Sequence, residues 1–298
     1  MLNLNLKVTW MEKQVWTENI TPKKSVSIYN IKELFNYKDL ISLFVKRDFV
    51  TVYKQTILGP FWYVITPVIQ TVIYTMMFGN IFSISDNTGI PAILFYLSGS
   101  VTWAYFSQSV IKTSNTFSSN ADIFGKVYFP RLVVPISILV SNLIGFGIQF
   151  LLFILFFLYY SFFTDLEFAF EFINILWFPV LLLNMALLGL GIGLIVSSLT
   201  TKYKDFKQFI GFGIQLLMFM SPVIVPMKIV VEKFPSWAIP ILEYNPMTPI
   251  IEGFRAAFFT DYAFDFSGLI YSGSVALILF VFGFYIFSKT EQNFMDTV

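Results

Sequence analysis

The side chains that most often carry catalysis or bind metals are missing from this sequence. It has no histidine and no cysteine among its 298 residues. The absence of cysteine excludes disulfides, thiolate metal sites and cysteine nucleophiles. The absence of histidine removes the commonest general base and metal ligand. The sequence therefore predicts neither catalytic residues nor a metal site of a familiar type.

A phosphate-binding loop for ATP is also missing. The Walker A pattern requires a glycine, four residues, and then Gly-Lys followed by Ser or Thr. The Gly-Lys pair at Gly125 and Lys126 has Asn120 in place of the first glycine and Val127 in place of the hydroxyl residue. This chain does not bind ATP by that device, so an ATP-driven process would need a second polypeptide as its motor.

The composition predicts an integral membrane protein. The chain is 56% hydrophobic and 19% aromatic, with 37 Phe, and only 12% of its residues are charged. Soluble domains usually have about 25% charged residues, so much of this surface must face something other than water. A net charge of +1 argues against a nucleic-acid partner, which normally requires a strongly basic face.

Six stretches without Asp, Glu, Lys or Arg are long enough to cross a bilayer, which takes about 20 apolar residues. We expect an all-α transmembrane bundle at 59–290. A polar cytoplasmic segment without a cleavable signal peptide precedes it at 1–58, and a cytoplasmic tail follows it at 291–298. The spans contain no acidic residue, which counts against coupling to protons or sodium. The predicted spans are 60–83, 91–113, 132–161, 172–199, 208–230 and 267–288.

The distribution of Lys and Arg predicts that both termini are cytoplasmic. Basic residues concentrate on the cytoplasmic side of membrane proteins. With six spans, 16 basic residues fall on the side of the termini and three on the other, namely Lys228, Lys233 and Arg255. The charges thus predict a protein that crosses the membrane several times with both ends in the cytoplasm.

Two of the three unusual connections lie on the cytoplasmic side. Residues 30–56 form a moderately amphipathic pattern, which favours a helix lying in the membrane interface over the start of a small soluble domain. The loop at 115–131 carries the aromatics Phe124, Tyr128 and Phe129 beside charged residues. Exposed aromatics rimmed by charge suggest a protein contact, although they could equally continue the third span or sit at the headgroups.

The third unusual connection, 231–264, is too apolar for a free loop and contains four prolines. Proline bars a continuous helix, and irregular backbone at membrane depth must be buried in protein or line a cavity. We therefore expect short re-entrant helices that form an outer gate, rather than a seventh span.

Aromatic side chains crowd several predicted spans. Trp and Tyr suit a path along which a sugar chain slides, because they offer flat apolar faces with a polar edge, whereas ordinary packing or lipid contact is the better explanation for any single one of them. The small-residue runs at 189–193, Gly145/Gly147 and Gly211/Gly213 are expected to let helices approach closely. The candidate channel aromatics are Trp62, Tyr63, Tyr74, Trp103, Tyr105 and Phe219.

Five colinear motifs resemble the permease subunits of polysaccharide ABC exporters of the O-antigen and teichoic-acid type. The resemblance as a whole spans residues 30–298, with six spans in the same order, and Met247 replaces an expected Leu. The motifs are YKQTILGPFW at 53–62, KVYFPR at 126–131, SPV at 221–223, NPMTPIIEGFR at 245–255 and FSKTEQNF at 287–294.

The resemblance implies a location in a bacterial cytoplasmic (inner) membrane. It also implies a homodimer with two nucleotide-binding ATPase subunits, which hold ATP and Mg²⁺ so that this chain needs no cofactor. It also implies a substrate carried on a polyprenyl pyrophosphate, and a role for each of three residue sets. The loop would couple to the ATPase through Asp122, Phe124, Lys126, Tyr128, Phe129 and Arg131. The lipid pyrophosphate would pass Lys46, Arg47 and Lys54. The outer gate would include Pro222, Trp237, Asn245, Pro246, Glu252 and Arg255.

Three other functions compete with this interpretation. An exporter of a small lipid or drug would share the fold but have a closed, apolar interface between subunits. An integral membrane enzyme such as an acyltransferase would need a catalytic base, which the lack of histidine makes difficult. A scaffold without transport activity would bind no ATPase.

Overall fold

Long helices joined by short ones make up the described part of the chain. The computed structural model describes residues 34–54, 56–164, 172–203, 205–259 and 262–293, and contains no strand within these ranges. The first half comprises α1 (Lys38–Tyr53), α2 (Trp62–Tyr74), α3 (Ile84–Thr88), α4 (Ala92–Ser114), α5 (Thr116–Phe124) and α6 (Val133–Phe163). The second half comprises α7 (Phe172–Ile175), α8 (Phe178–Thr200), α9 (Phe206–Phe219), α10 (Met227–Lys233), α11 (Ile239–Glu243), α12 (Thr248–Ala256) and α13 (Phe266–Asn293).

Four segments are long and apolar enough to cross a membrane. They are Gly59–Gly79, Val133–Phe163, Phe178–Thr200 and Phe266–Glu291, which correspond to the first, third, fourth and sixth predicted spans. The first begins with a 3₁₀ turn, continues as α2 and ends in a π-helical turn at Thr75–Gly79. The chain is therefore an all-helical protein with several candidate membrane spans among the residues described.

The second predicted span forms a helix of sufficient length, but a more polar one. Helix α4 has 23 residues, of which 16 are buried, and many of these are Ser or Thr. It packs against α2, α6 and α8, so its surroundings are mainly other helices. This central position explains its lower hydropathy, because Ser and Thr in a buried helix bond to their own backbone, as Thr102 does to the carbonyl of Ser98 at 2.8 Å.

The prediction of one continuous fifth span over 208–230 is wrong. Helix α9 ends at Phe219 after 14 residues, and α10 begins only at Met227. Pro222 and Pro226 cannot donate the backbone hydrogen bonds that a helix requires. The freed carbonyl of Met220 is instead bonded by the side-chain amide of Asn245 at 2.7 Å. The fourth predicted span also begins too early, since a turn separates α7 from α8, whose second residue is Pro179.

Glycines in α8 allow its neighbours to approach closely, as predicted. A Cβ on Gly191 would lie 2.7 Å from the backbone of Leu279 in α13, and one on Gly189 would lie 2.8 Å from the Cβ of Ser109 in α4. Distances this short are sterically forbidden, so larger residues would push these helices apart. Helix α8 is thus the central element, packed between α4 and α13.

Two different sets of connections meet at the opposite ends of the bundle. At one end, Phe129 of the loop after α5 packs on Phe44 of α1, and Phe117 of α5 stacks on Phe287 of α13. At the other end, α10 approaches α3, where Lys228 donates to the backbone carbonyl of Asn87 at 3.3 Å. We call these the coupling end and the outer end.

Candidate functional site

An open groove of about 570 Å³ lies between α2, α4, α6 and α9. Four of the six predicted channel aromatics line it: Trp62, Tyr63, Tyr74 and Trp103. Residues far apart in sequence therefore converge on one surface. The groove also has several polar side chains for a site between apolar helices, because Ser, Thr and Gln residues line it beside the aromatics and every one of the four helices contributes at least one of them. Its polar lining comprises Thr66, Gln70, Ser100, Ser107, Gln108, Lys112, Gln149 and Gln215.

The contribution of α2 is a stripe with a spacing of four residues. Trp62, Thr66, Gln70 and Tyr74 all line the groove, and residues four apart stack on one face of a helix. The Gln70 amide donates to the Tyr74 hydroxyl at 2.8 Å, and this hydroxyl lies 3.7 Å from the Met218 sulfur of α9. These contacts fix the tyrosine ring at the groove wall.

Two glycines shape the groove in different ways. A Cβ on Gly145 of α6 would lie 2.6 Å from the ring of Tyr63, so this glycine lets the tyrosine lie flat against α6. Gly211 of α9 lines the groove and has open space where a Cβ would project. The predicted role of Gly211 and Gly213 in close helix packing is therefore wrong, since neither has a neighbour within 4 Å of that position.

The other two predicted channel aromatics lie elsewhere. Tyr105 is 3% exposed and packs edge-on against Phe146 of α6 at 5.5 Å. Its ring faces the interior because residues 103 and 105 point to different sides of α4. Phe219 is exposed at the last residue of α9 and does not line the groove. Four of the six predicted channel aromatics therefore line one groove, and the other two do not.

Lys112 is the one charged residue that lines the groove. It lies near the C-terminal end of α4, toward the coupling end. There its ammonium donates to the side-chain amide oxygen of Asn142 in α6 at 2.9 Å. The same lysine lines a second cavity of about 470 Å³, bordered by α1, α4, α5 and α6, which we call the α1 pocket. Lys112 therefore stands where the groove and the α1 pocket adjoin.

Of the three basic residues predicted to meet a pyrophosphate, one lines the α1 pocket. Arg47 lies there with Asp48, and their side chains form an ion pair at 2.7 Å. The Arg47 guanidinium also lies 4.5 Å from the centre of the Phe44 ring, so it folds toward the apolar side of α1 rather than away from it. Lys46 and Lys54 are exposed at the surface and are not part of the pocket lining.

The predicted coupling residues divide into a buried base and an exposed tip. Asp122, Lys126 and Tyr128 are exposed, and Tyr128 is 96% accessible. Phe124 and Phe129 are buried, which corrects the prediction that all three aromatics are exposed. The reason is the helix at 116–124, which turns Phe124 onto Phe117 and Phe129, while Phe129 also reaches Phe44.

Arg131 ties this segment to the end of α13. Its backbone N–H donates to the Glu291 carboxylate at 3.1 Å, and its guanidinium donates to the Glu291 backbone carbonyl. The guanidinium also lies 5.5 Å from the centre of the Phe124 ring. The exposed tip is therefore held by α1, α5 and α13 together, and a force on it would reach three helices.

The predicted outer-gate residues centre on a fully buried arginine. The Arg255 guanidinium lies 3.7 Å from the centre of the Phe95 ring, donates to Glu252 at 3.2 Å and to the Ser98 hydroxyl at 3.3 Å. These contacts join α12 to α4.

The remaining outer-gate residues hold the broken segment in place, with one exception. Asn245 bonds Met220 and the Ser221 hydroxyl, Pro222 is buried, and the Pro246 carbonyl accepts from Ser272 at 2.6 Å. Trp237 is 72% exposed and projects from the turn before α11. Short helices at 227–256 thus agree with the expected proline-broken pattern.

Sequence reasoning missed the four glutamines of the groove. Gln70, Gln108, Gln149 and Gln215 each come from a different helix. The available signal was a neutral amide in the middle of an otherwise apolar stretch, which is costly in a membrane without a partner. Because these glutamines are uncharged, charge alone does not distinguish them from the apolar residues around them.

Comparison with known proteins places this chain in a transporter family. Residues 39–259 match the sequence model of the ABC-2 type transporter membrane domain. This match covers most of the chain, so the protein belongs to that family. The resemblance seen in the five motifs is thereby confirmed at the family level.

Characterised relatives within the family share nearly the full length. An O-antigen export system permease protein RfbA from Klebsiella pneumoniae is 27% identical over 271 residues, covering 90% of this chain and 97% of the relative. A protein of the same name from Myxococcus xanthus is 23% identical over 269 residues, covering 90% of this chain and 98% of the relative.

Proposed function

We propose that this chain is the permease of an ATP-driven exporter that moves lipid-linked polysaccharide, such as O-antigen, across the bacterial cytoplasmic membrane. The groove is the observation that carries the proposal, because its aromatic and amide side chains suit sugar rings and hydroxyls. The full-length similarity to O-antigen export permeases supports it. A transporter of small apolar compounds would have no use for the polar part of this lining.

The proposed topology has six spans with both termini in the cytoplasm. The four long apolar segments would form four of the spans, and the central helix α4 would form another. Helix α9 is short, so the remaining span would consist of α9 together with the irregular outer segment that follows it. Helices α10 to α12 would re-enter the outer leaflet. The meeting of α1, the loop after α5 and the end of α13 at one end of the bundle supports a single cytoplasmic face, as the excess of basic residues also does.

The absence of native cysteine makes this topology directly testable. Single cysteines at Lys126 and Trp237, both exposed and at opposite ends, should react with a membrane-impermeant thiol reagent from opposite sides of the membrane. Lys126→Cys should react only from the cytoplasm and Trp237→Cys only from outside. Labelling of both from one side would overturn the six-span arrangement.

The proposed assembly is a homodimer with two ATPase subunits. The groove is open along one side, so a second copy facing it would enclose a path between two such surfaces. The exposed tip of the loop, Lys126 to Tyr128, would dock on the ATPase, which supplies ATP and Mg²⁺. Closure of the ATPases would pull on Arg131 and thereby on α13 and α5.

The α1 pocket is the proposed entrance for the lipid pyrophosphate. Arg47 and Lys112 bring two positive charges to it, partly offset by Asp48. Lys46 and Lys54 would act from the surface of α1, where they can attract anionic headgroups. From this pocket the sugar chain would pass Lys112 into the groove.

Deletion of the gene in its native host tests the function. The deletion strain should lose surface polysaccharide and accumulate the lipid-linked form inside, and the full-length chain should restore export. Restoration should fail when the partner ATPase has its Walker A lysine replaced. Unchanged surface polysaccharide, together with altered efflux of a small apolar compound, would instead identify the drug or lipid exporter of the same fold.

A further inference from the structure

The groove takes one glutamine from each of the four helices that form it. Gln70 comes from α2, Gln108 from α4, Gln149 from α6 and Gln215 from α9. The chain has four more glutamines, and all lie before residue 59 or near a helix end, at 14, 55, 208 and 292. Every glutamine in the middle of a long helix therefore faces this groove.

The placement of four amide side chains here is energetically unfavourable unless the groove holds a polar ligand or water. Hydrocarbon offers no hydrogen bonds, so amides at membrane depth face protein or a water-filled cavity. Within the described part of the chain, the buried Gln149 carbonyl oxygen has no hydrogen-bond partner, and neither has the hydroxyl of Ser100. Ser100 is only 3% exposed and lines the same groove. Unpaired buried acceptors at the wall indicate a ligand or water that bonds to them.

The lining also defines the chemistry of that occupant. An amide offers a donor and an acceptor without charge, which matches a hydroxyl group rather than a phosphate or carboxylate. Lys112 is the one charged lining residue, and its ammonium already bonds Asn142. Trp62, Tyr63 and Trp103 add flat apolar surfaces between the amides. An apolar compound would leave the amides unpaired, which sites built from hydrogen-bonding groups strongly disfavour.

We propose that Gln70, Gln108, Gln149 and Gln215 form the hydrogen-bonding set that recognises sugar hydroxyls and makes the groove selective for an uncharged glycan chain. This inference rests on the proposed export function and adds its specificity determinants. Each amide–hydroxyl bond contributes little net free energy, because water competes for both partners. Successive sugar units can therefore exchange places along the four amides without becoming trapped.

Replacement of the glutamines by methionine tests the set, since methionine has a similar length but cannot form these bonds. Each single Gln→Met change should lower export of an uncharged polysaccharide about two- to tenfold, the factor associated with one hydrogen bond. The quadruple variant should lower export by more than about tenfold. Gln208→Met is the matched control, because Gln208 lies in α9 but does not line the groove, and it should export normally.

Cysteine protection adds a measurement that a merely structural role would not change. In the cysteine-free chain, Gln215→Cys should react with a charged, water-soluble thiol reagent, and maltohexaose should slow that reaction. A sulfated maltohexaose should slow it less. Lys233→Cys, exposed at the end of α10 and outside the groove, should react with the same reagent and show no protection by either sugar.

The outcomes separate this inference from the proposed function. If the deletion strain keeps its surface polysaccharide, the proposed function fails, and protection of Gln215→Cys by maltohexaose still decides the sugar site. If the wild-type chain exports glycan and the quadruple variant exports equally well, the inference is wrong and the function stands. Equal protection at Gln215→Cys and Lys233→Cys would likewise overturn it. Should the quadruple variant fail to fold, the single variants and the protection assay decide.

Discussion

The groove and the Arg255 site are both polar regions among apolar helices, but they use their hydrogen-bonding groups in opposite ways. Arg255 is completely buried, and its guanidinium contacts Phe95, Ser98 and Glu252. In the groove, the Gln149 oxygen and the Ser100 hydroxyl have no partner among the residues described. One site is complete without a ligand, and the other is incomplete.

This difference distinguishes a polar group that holds the fold from one that binds a substrate. A buried charge that loses its partners is strongly destabilising, so the contacts of Arg255 bind α12 firmly to α4. An unpaired amide at an open groove adds little to stability but is available to a ligand. Substitutions at the two sites should therefore affect stability and transport in opposite proportion.

The largest effect on stability is expected at Arg255. Arg255→Met keeps much of the side-chain volume but leaves the Glu252 carboxylate without its partner. Because the Glu252 side chain is 21% exposed, this loss should cost less than the about 3–5 kcal/mol typical of a fully buried pair, but thermal unfolding of the detergent-solubilised protein would still detect it. Lys228→Met removes an exposed cation from the same end and should change stability by less than about 0.5 kcal/mol. Equal melting of the two variants would show that the Arg255 contacts are not stabilising.

A second comparison of the same kind lies within the coupling segment. Phe124→Ala empties a buried position between Phe117 and Phe129 and should cost about 3 kcal/mol of stability. Tyr128→Ala changes a side chain that is 96% exposed, so the permease should melt normally. Its affinity for the ATPase should fall about thirtyfold, since truncated interface anchors cost about 2 kcal/mol.

Co-purification with the ATPase, measured beside thermal unfolding, separates these two roles. Normal ATPase binding by Tyr128→Ala would remove the tip from the docking surface. A normal melting temperature for Phe124→Ala would show that the aromatic base does not stabilise the segment.

Substitution of two neighbouring glycines should have an intermediate effect on export, and only at the glycine that lines the groove. Both Gly211 and Gly213 have open space at the Cβ position, but only Gly211 lines the groove. Leucine at either position should raise helix propensity and leave the fold intact. Gly211→Leu should obstruct the path and reduce export about tenfold, equivalent to about 1.4 kcal/mol, whereas Gly213→Leu should export normally. Equal export by both variants would place the sugar path elsewhere.

Hydropathy predicted the long helices because burial of apolar residues over about 20 positions has few alternatives in a membrane protein. The break after Phe219 was missed because Ser221 and Pro222 are uncharged, so the stretch reads as continuous when only charges are counted. Prolines did predict the short helices of the outer segment. Local sequence patterns therefore predicted the helices. The break after Phe219 is evident only in the structure, where the Asn245 side chain bonds the nearby Met220 carbonyl.

The candidate site was predictable only in part. Side-chain type identified the aromatics, but which face of α4 they occupy depends on its packing, and Tyr105 turned inward onto Phe146. The exposure of Phe124 could not be read from its neighbours in sequence, because the residues that cover it come from α1, α5 and the loop. The burial of these side chains depends on which helices pack against each other, and a single sequence does not reveal that packing.

The smallest effect is expected at a polar group that is neither buried nor in the groove. Asp265, at the start of α13, accepts from the Ser267 hydroxyl at 2.7 Å and from the Ser267 backbone N–H at 3.0 Å. These bonds lower the pKa of the Asp265 carboxyl below its usual range, because they favour the charged form.

A lowered folded-state pKa means that the charged carboxylate stabilises the protein above its unfolded pKa of about 3.9. That stabilisation is lost as the pH falls through the folded pKa. Because Asp265 is exposed, we expect Asp265→Ala to cost only about 0.5–1 kcal/mol at pH 7, as for a helix cap. The wild-type and variant melting temperatures should converge as the pH falls below about 3.9. A difference that stays constant down to pH 3 would show that the hydrogen bonds, and not the charge, carry the effect.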